Sequence, residues 1–270
     1  MSTENILVLD EHALRAVYSR HPIGKTAYTY SCSVDWGNDD ESQSNAFIKR
    51  FKKENEQGLI NEITGYILAK HCKLPIPKYA ALINTNNYQF DVKDENFIPW
   101  GFITSALNGK TPQSLYELGD LTECKKLLEY IASWSGIAEA IAFDDWIANE
   151  DRNSGNIIIE DENNIFLIDH SHFPIDLNWK ADLLDPSYKA KNKLNESLYN
   201  SNCPLPIKSK ISEANSNHEL YYKKARNELN YWWDLLLLKD KDKRKAIEVF
   251  LKERSLLGNE RVNEDLRLLV

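Results

Sequence analysis

Residues 143–173 read FDDWIANEDRNSGNIIIEDENNIFLIDHSHF, and the rest of the chain is best read outward from them. Ile157, Ile158 and Ile159 form a short β-branched run, and Ile165, Phe166, Leu167 and Ile168 form a second, with the polar stretch Glu160 to Asn164 between them. Two such runs around a turn-rich segment predict a β-hairpin. A four-residue turn that pairs Glu160 with Ile165 sets Asn156 opposite Asp169. Directly opposed residues hold their Cβ atoms about 4.5 to 5.5 Å apart, so an amide oxygen and a carboxylate there could share one hard cation. Asp151 lies just upstream, in a loop where Asn153, Ser154 and Gly155 are turn formers. A free carboxylate beside a cation pair points to phosphoryl transfer. That chemistry needs few protein groups, because Mg²⁺ binds through one or two protein oxygens plus nucleotide phosphates while a carboxylate orients the attacking hydroxyl.

Asp151 to Asn156 matches the D-x-x-x-x-N spacing of a kinase catalytic loop, and Asp169, followed by His170 and Ser171, stands where kinases carry D-F-G. The runs IANEDRNSGNIII (147–159) and LIDHSHF (167–173) resemble the HipA-like kinases. More distantly they resemble the phosphatidylinositol kinases, whose loops read approximately D-R-H-x-x-N and whose metal-binding Asp often precedes His. The chain departs from that pattern at Asn153, where the families usually have His, and at Ser171, where many kinases have Gly. The resemblance implies roles for each matched residue. Asp151 would orient the acceptor hydroxyl, Asn156 and Asp169 would hold Mg²⁺, and Arg152 would neutralise charge beside the loop or the transferring phosphate. It also implies ATP as donor, a protein Ser or Thr as acceptor, and, as in many such relatives, an antitoxin-like partner. Singly, Asp and Asn are ordinary turn and strand-end residues. Together, at hairpin-closing spacing, they read as a site.

The N-terminal half supplies what that chemistry requires. In AFIKRF (46–51), Phe47, Lys49 and Phe51 share one strand face and Ala46, Ile48 and Arg50 the other. A lysine framed by aromatics on a strand needs an anion, and in kinases that anion is nucleotide phosphate together with a helix glutamate. Leu59, Ile60, Ile63, Ile67 and Leu68 then follow at helical spacing, and Glu62 falls on this helix, which ends before Pro75. The order of strand lysine, N-E helix and Leu74-Pro75-Ile76-Pro77 is similar to HipA-like kinases. Read locally, Lys49 could equally guard a sheet edge and Glu62 a solvated helix face. A phosphate-covering loop is expected at Ser19 to Thr26, with Gly24 and Lys25 touching phosphate, before a strand over 27–34. A true P-loop is excluded, since G-x-x-x-x-G-K-T would need Gly where Ser19 stands, and Gly109-Lys110-Thr111 fails in the same way at Thr104.

At 270 residues and 42% hydrophobic, the chain can bury the core of two lobes. A net charge of −8 argues against a nucleic-acid backbone as partner. Cys32, Cys72, Cys124 and Cys203 have no C-x-x-C spacing, which predicts buried free thiols in a reducing compartment. No targeting segment or apolar run long enough to span a bilayer is visible, so a cytoplasmic, non-membrane protein is expected. The expected fold class is α+β, a two-lobed protein-kinase-like fold. Residues 1–98 would form an N-terminal lobe with an antiparallel sheet and one helix, and residues 99–270 a larger, mostly helical C-terminal lobe. Pro99 to Ala106 reads as the hinge between them. Leu121 to Ala148 reads as a long helical region, 170–206 as the place of an activation segment, and Ser209 onward as helices.

Other classes remain open at this stage. His170 and His172 share a strand face and could hold Zn²⁺ or Mn²⁺ in a metal-dependent hydrolase. A pseudokinase that binds nucleotide without turnover, or a lipid or small-molecule kinase, would carry the same motifs.

Overall fold

The structure is a computed structural model that describes residues 6–21, 27–37, 44–92, 94–200, 202–258 and 260–261. It is a mixed α+β fold with eight α-helices and a six-stranded mixed sheet among the described residues. The chain divides into two compact units, residues 1–63 with 77–107, and residues 64–76 with 108–270.

The first unit holds the sheet. Its strands are β1 (Leu7–Leu9), β2 (Leu14–Arg20), β3 (Ala27–Val34), β4 (Ser44–Lys52), β5 (Ala80–Asn84) and β6 (Phe97–Ser105), in the order β1-β5-β6-β4-β3-β2. Alternation sets the two faces. Ala46 and Ile48 of β4, Ala81 and Ile83 of β5, and Ile103 of β6 join Tyr30, Cys32, Val34 and Trp36 in one apolar cluster. Lys49, opposite Thr29 and Phe102, points away from that cluster. Arg50 is buried, with its guanidinium 3.8 Å from the centre of the Phe90 ring and 4.5 Å from that of Phe97.

Two expectations are corrected here. The sheet is not wholly antiparallel, because β1 runs parallel to β5 at one edge. Nor is 99–106 a hinge: Phe97–Ser105 is a strand paired with β4 on one side and β5 on the other. Its residues Phe97, Phe102 and Ile103 are buried between those neighbours, so the division falls after Leu107 rather than after residue 98. The boundary also passes through helix α1 (Gln57–His71), whose second half belongs with the other unit.

The second unit is mostly helical, with α2 (Pro112–Glu117), α3 (Leu121–Ser133), α4 (Ile137–Ile147), α5 (Lys193–Tyr199), α6 (Leu205–Ser216), α7 (His218–Leu236) and α8 (Lys241–Leu256). A hairpin of β7 (Ile157–Ile159) and β8 (Ile165–Leu167) completes it. The expected helical region 121–148 is interrupted at 134–136, where α3 ends and α4 begins. Every residue of α4 except Glu139 is buried, so its polar groups must find partners inside the protein. Trp146 donates to the Leu251 carbonyl at 3.0 Å, and its ring stacks on His218 at 4.6 Å. On α1, Thr64 accepts from the Trp233 indole of α7 at 2.9 Å. The cysteines are free. Among the described residues no helix is long and apolar enough to cross a membrane.

Burial, with the nearby charge of Arg261, pushes the His218 pKa down from 6.5 to about 3. The native ring therefore stays neutral where the unfolded chain takes up a proton. Stability is unaffected above the unfolded value and falls as pH drops from there toward the folded one. Between pH 7 and pH 5 His218 should remove about 2 kcal/mol. In urea denaturation at both pH values, His218→Phe is expected to lose that much less than wild type over the same interval, and equal losses would contradict the assignment.

Candidate active site

The loop carrying Asp151 starts at the carbonyl end of α4. Ala148 adopts a left-handed conformation with φ 55, and its N–H turns back to the carbonyls of Asp144 and Asp145. The buried Arg254 of α8 donates to the Trp146 carbonyl at 2.8 Å and also to the Asp145 carbonyl. A cation there satisfies acceptors that the helix leaves open and complements its dipole. Asn149 follows, with its N–H on the Asp144 carbonyl at 2.8 Å and its Nδ2 on Asp144 Oδ1 at 2.9 Å. Its Oδ1 accepts from the Asp151 N–H at 3.0 Å.

Asp144 and Arg152 form an ion pair whose side chains have 0% exposure on both partners. Arg152 Nε lies 3.1 Å from Asp144 Oδ2 and Nη2 lies 3.1 Å from Oδ1. Burial pushes the Asp144 carboxyl above its ordinary value, while Arg152 and Asn149 draw it back. The rest of the guanidinium faces the hairpin. Nη1 donates to the Ile168 carbonyl at 2.5 Å and lies 3.5 Å from the carbonyls of both Asn156 and Asp169. Nη2 is 3.0 Å from His170 Nδ1, and because a guanidinium can only donate, that nitrogen is the acceptor and the ring proton is assigned to Nε2. Of the two charges that Arg152 was expected to neutralise, the one it meets is beside the loop, on Asp144, and the buried side chain ties α4, the loop and the hairpin together.

The hairpin register also differs from the expected one. Ile157 pairs with Leu167 and Ile159 with Ile165, so Asn156 faces Ile168, whose N–H reaches the Asn156 carbonyl at 3.1 Å. The turn is one residue tighter than expected because the Asp161 carboxylate accepts the N–H groups of Asn163 at 2.8 Å and Asn164 at 3.0 Å, and Glu160 then closes on Asn164. A one-residue slip reverses which side chains share a face. What Asn156 and Asp169 share is Arg152 Nη1, which lies near the backbone carbonyls of both. Asp169 itself has left the strand, with φ 60, and its Oδ1 accepts from the Ser171 hydroxyl at 2.8 Å. Ser171, where many kinases have Gly, thus anchors the carboxylate.

Inside the loop, Asn153 does what an Asx turn does. Its Oδ1 accepts the Gly155 N–H at 2.8 Å and its Nδ2 donates to the Asp151 carbonyl at 3.1 Å. Asn156 Nδ2 donates to the same carbonyl at 2.8 Å, so its amide oxygen takes no part in holding the loop. The Asp151 carboxylate is about one-third exposed, at 34%, and Lys193 of α5 approaches its Oδ1 at 2.9 Å. Helix α1 packs directly over the segment after Asp169: a Cβ added to Gly65 would sit 2.3 Å from His170 Cβ, so only glycine fits there.

In the first unit Lys49 and Glu62 form the expected ion pair, with side-chain exposures of 18% and 3%. The pair is too well covered to be a solvated surface contact. Gly24 and Lys25 lie outside the described residues. Of the two histidines in the hydrolase alternative, His170 gives its Nδ1 to Arg152. Among the described residues no group of three or more His, Cys, Asp and Glu side chains is arranged to hold a metal. Sequence reasoning missed Asp144, Lys193 and Arg254. Two acids inside the apolar run IAFDDWI were a legible sign of a buried pair. Nothing local distinguished Lys193 from its neighbours.

No protein-family model matches the chain, and a search of curated proteins returns no match.

Removing one partner of a buried ion pair leaves the other charge uncompensated, at a cost of about 3 to 5 kcal/mol. Arg152→Met is therefore expected to lower unfolding free energy by that amount in urea denaturation. A loss within the range of an ordinary surface change, below about 0.5 kcal/mol, would contradict the bracing role.

Proposed function

We propose that the chain is an ATP-dependent phosphotransferase of the HipA-like type with a two-lobed, kinase-like fold, transferring the γ-phosphoryl group to a hydroxyl. The observation that carries the proposal is the loop from Asp151 to Asn156. Its backbone is held by Asn149, Asn153 and Asn156, so that the Asp151 carboxylate stays about one-third exposed while the Asn156 amide holds the loop through its nitrogen and keeps its oxygen out of those bonds. Amide and carboxylate oxygens are hard donors that suit Mg²⁺, which takes few protein ligands and completes its shell with phosphate and water. Asn156 and Asp169 would hold the ion, and Mg²⁺ would supply charge neutralisation for the phosphates.

The remaining steps belong to this chain's own residues. The acceptor oxygen bonds to the γ-phosphorus as the bond to the β–γ bridging oxygen breaks, and that electron pair leaves with ADP. Asp151 orients the hydroxyl and takes its proton. Lys49, held in place by Glu62, grips the α- and β-phosphates. A protein Ser or Thr as acceptor, and an antitoxin-like partner, rest on the resemblance of 147–159 and 167–173 to HipA-like kinases; a lipid or small-molecule hydroxyl would need the same site.

The deciding experiment follows γ-phosphate transfer and release from radiolabelled ATP with and without Mg²⁺, alongside calorimetric nucleotide binding. Asp169→Asn should lose metal-dependent nucleotide binding while keeping the fold. Asp151→Asn should keep binding and slow turnover by roughly 10² to 10⁴, the usual contribution of a positioned base. Equal loss of affinity in both variants would make Asp151 a metal ligand, and binding without turnover in wild type would make the protein a pseudokinase.

Lys49→Met should reduce both affinity and rate, and Glu62→Gln should reduce rate through a misplaced lysine. Because the two act as one unit, the double variant should be scarcely worse than the worse single. Full additivity in a cycle of rate measurements would refute the pairing.

A further inference from the structure

Lys193 meets the Asp151 carboxylate in a way that stability does not explain. The two side chains are 46% and 34% exposed, and exposed ion pairs contribute about 0 to 1 kcal/mol. Yet both ends are fixed independently of each other. On the Asp151 side, Asn149 receives the Asp151 N–H at 3.0 Å and is itself tied to Asp144. On the Lys193 side, Asn192 caps α5 by accepting the Asn195 N–H at 2.9 Å, and its Nδ2 reaches the Ile141 carbonyl of α4 at 2.9 Å. The segment leading into α5 is also stitched to the residue before Asp151. Glu150 Oε1 accepts from the Tyr188 hydroxyl at 2.9 Å and from the Lys191 N–H at 2.8 Å. Four hydrogen bonds thus deliver one lysine to one carboxylate.

We infer that Lys193 is a positioning residue for the proposed transfer reaction, holding Asp151 Oδ1 so that Oδ2 is turned to the acceptor hydroxyl and offsetting the repulsion between that carboxylate and the incoming phosphoryl group. The inference rests on the phosphotransferase reading. An unpaired carboxylate within reach of a triphosphate faces a like charge, and an ammonium beside it removes most of that penalty. The lysine also selects the carboxylate rotamer, which matters because misplacing a reacting group by about 1 Å can cost about 10² in rate. Acceptor and phosphorus exchange bonds as already described, and the hydroxyl proton goes to Oδ2.

The test uses the whole chain, with Mg²⁺-ATP as substrate and water as acceptor, so that no acceptor protein need be known. Steady-state release of γ-phosphate gives kcat and KM, calorimetry gives nucleotide affinity, and thermal unfolding reports the fold. Lys193→Met should lower kcat by about 10- to 10²-fold with KM, affinity and Tm within twofold or two degrees of wild type. Lys193→Arg should recover most of the loss, and Lys193→Met should add nothing in an Asp151→Asn background. Unchanged kcat overturns the inference, as does a raised kcat, which would mark the contact as a restraint on Asp151. Loss of affinity in parallel with kcat would also overturn it. These outcomes presuppose a wild type that turns over Mg²⁺-ATP and an Asp151→Asn variant slowed by roughly 10² to 10⁴; if wild type is inactive, the phosphotransferase reading fails first and this inference with it.

Discussion

A guanidinium cut off from water must have every donor engaged, and Arg152 meets that demand by gathering the site around itself. Its two ends face different segments. One end is held by Asp144 on α4, and the other reaches the carbonyls of Ile168, Asn156 and Asp169 and the ring of His170. A planar fork with fixed donor directions allows few arrangements of those acceptors, so the loop and the end of the hairpin are located relative to α4 by one side chain. The site depends on this brace because contacts such as the Asx turn at Asn153, the Ser171 hydroxyl and N–H on Asp169 and Lys193 on Asp151 are local or exposed. The further support is steric, since helix α1 covers His170 at Gly65 with no space for a Cβ.

Electrostatics divides the labour between the two units. In the second, buried charge is compensated locally, Asp144 by Arg152 and Asp145 by Arg261 at 2.7 Å, while Asp151 and Asp169 are only partly buried. In the first, the nearly buried Glu62 is compensated by Lys49.

Much of this was readable from residue order, for identifiable reasons. The strand over 27–34, the helix bearing Glu62 and the hairpin all follow from period-2 and period-3.6 patterns bounded by turn residues. The hairpin register was misread by one, since Asp161 closes a turn that composition alone leaves open between lengths. The strand Phe97–Ser105 was misread as a hinge because Pro99 and Gly101 punctuate it, yet apolar residues on either side bury it between β4 and β5. Arg152 was expected beside the loop or the transferring phosphate, and its burial was not legible because it depends on where Asp144 of α4 packs. Lys193 was invisible because its meaning comes from Asn192 and Glu150, whose partners are distant in sequence.

The most direct test of the brace removes both charges together, Asp144→Leu with Arg152→Met. Replacing a buried ion pair by apolar residues of similar volume is often neutral for stability, so this variant should fold with an unfolding free energy near that of wild type. If the guanidinium is what brings Asn156 and Asp169 together, calorimetry should show Mg²⁺-dependent ATP affinity falling by at least tenfold while Mg²⁺-independent binding is kept. A folded variant that binds Mg²⁺-ATP as wild type does would contradict the account.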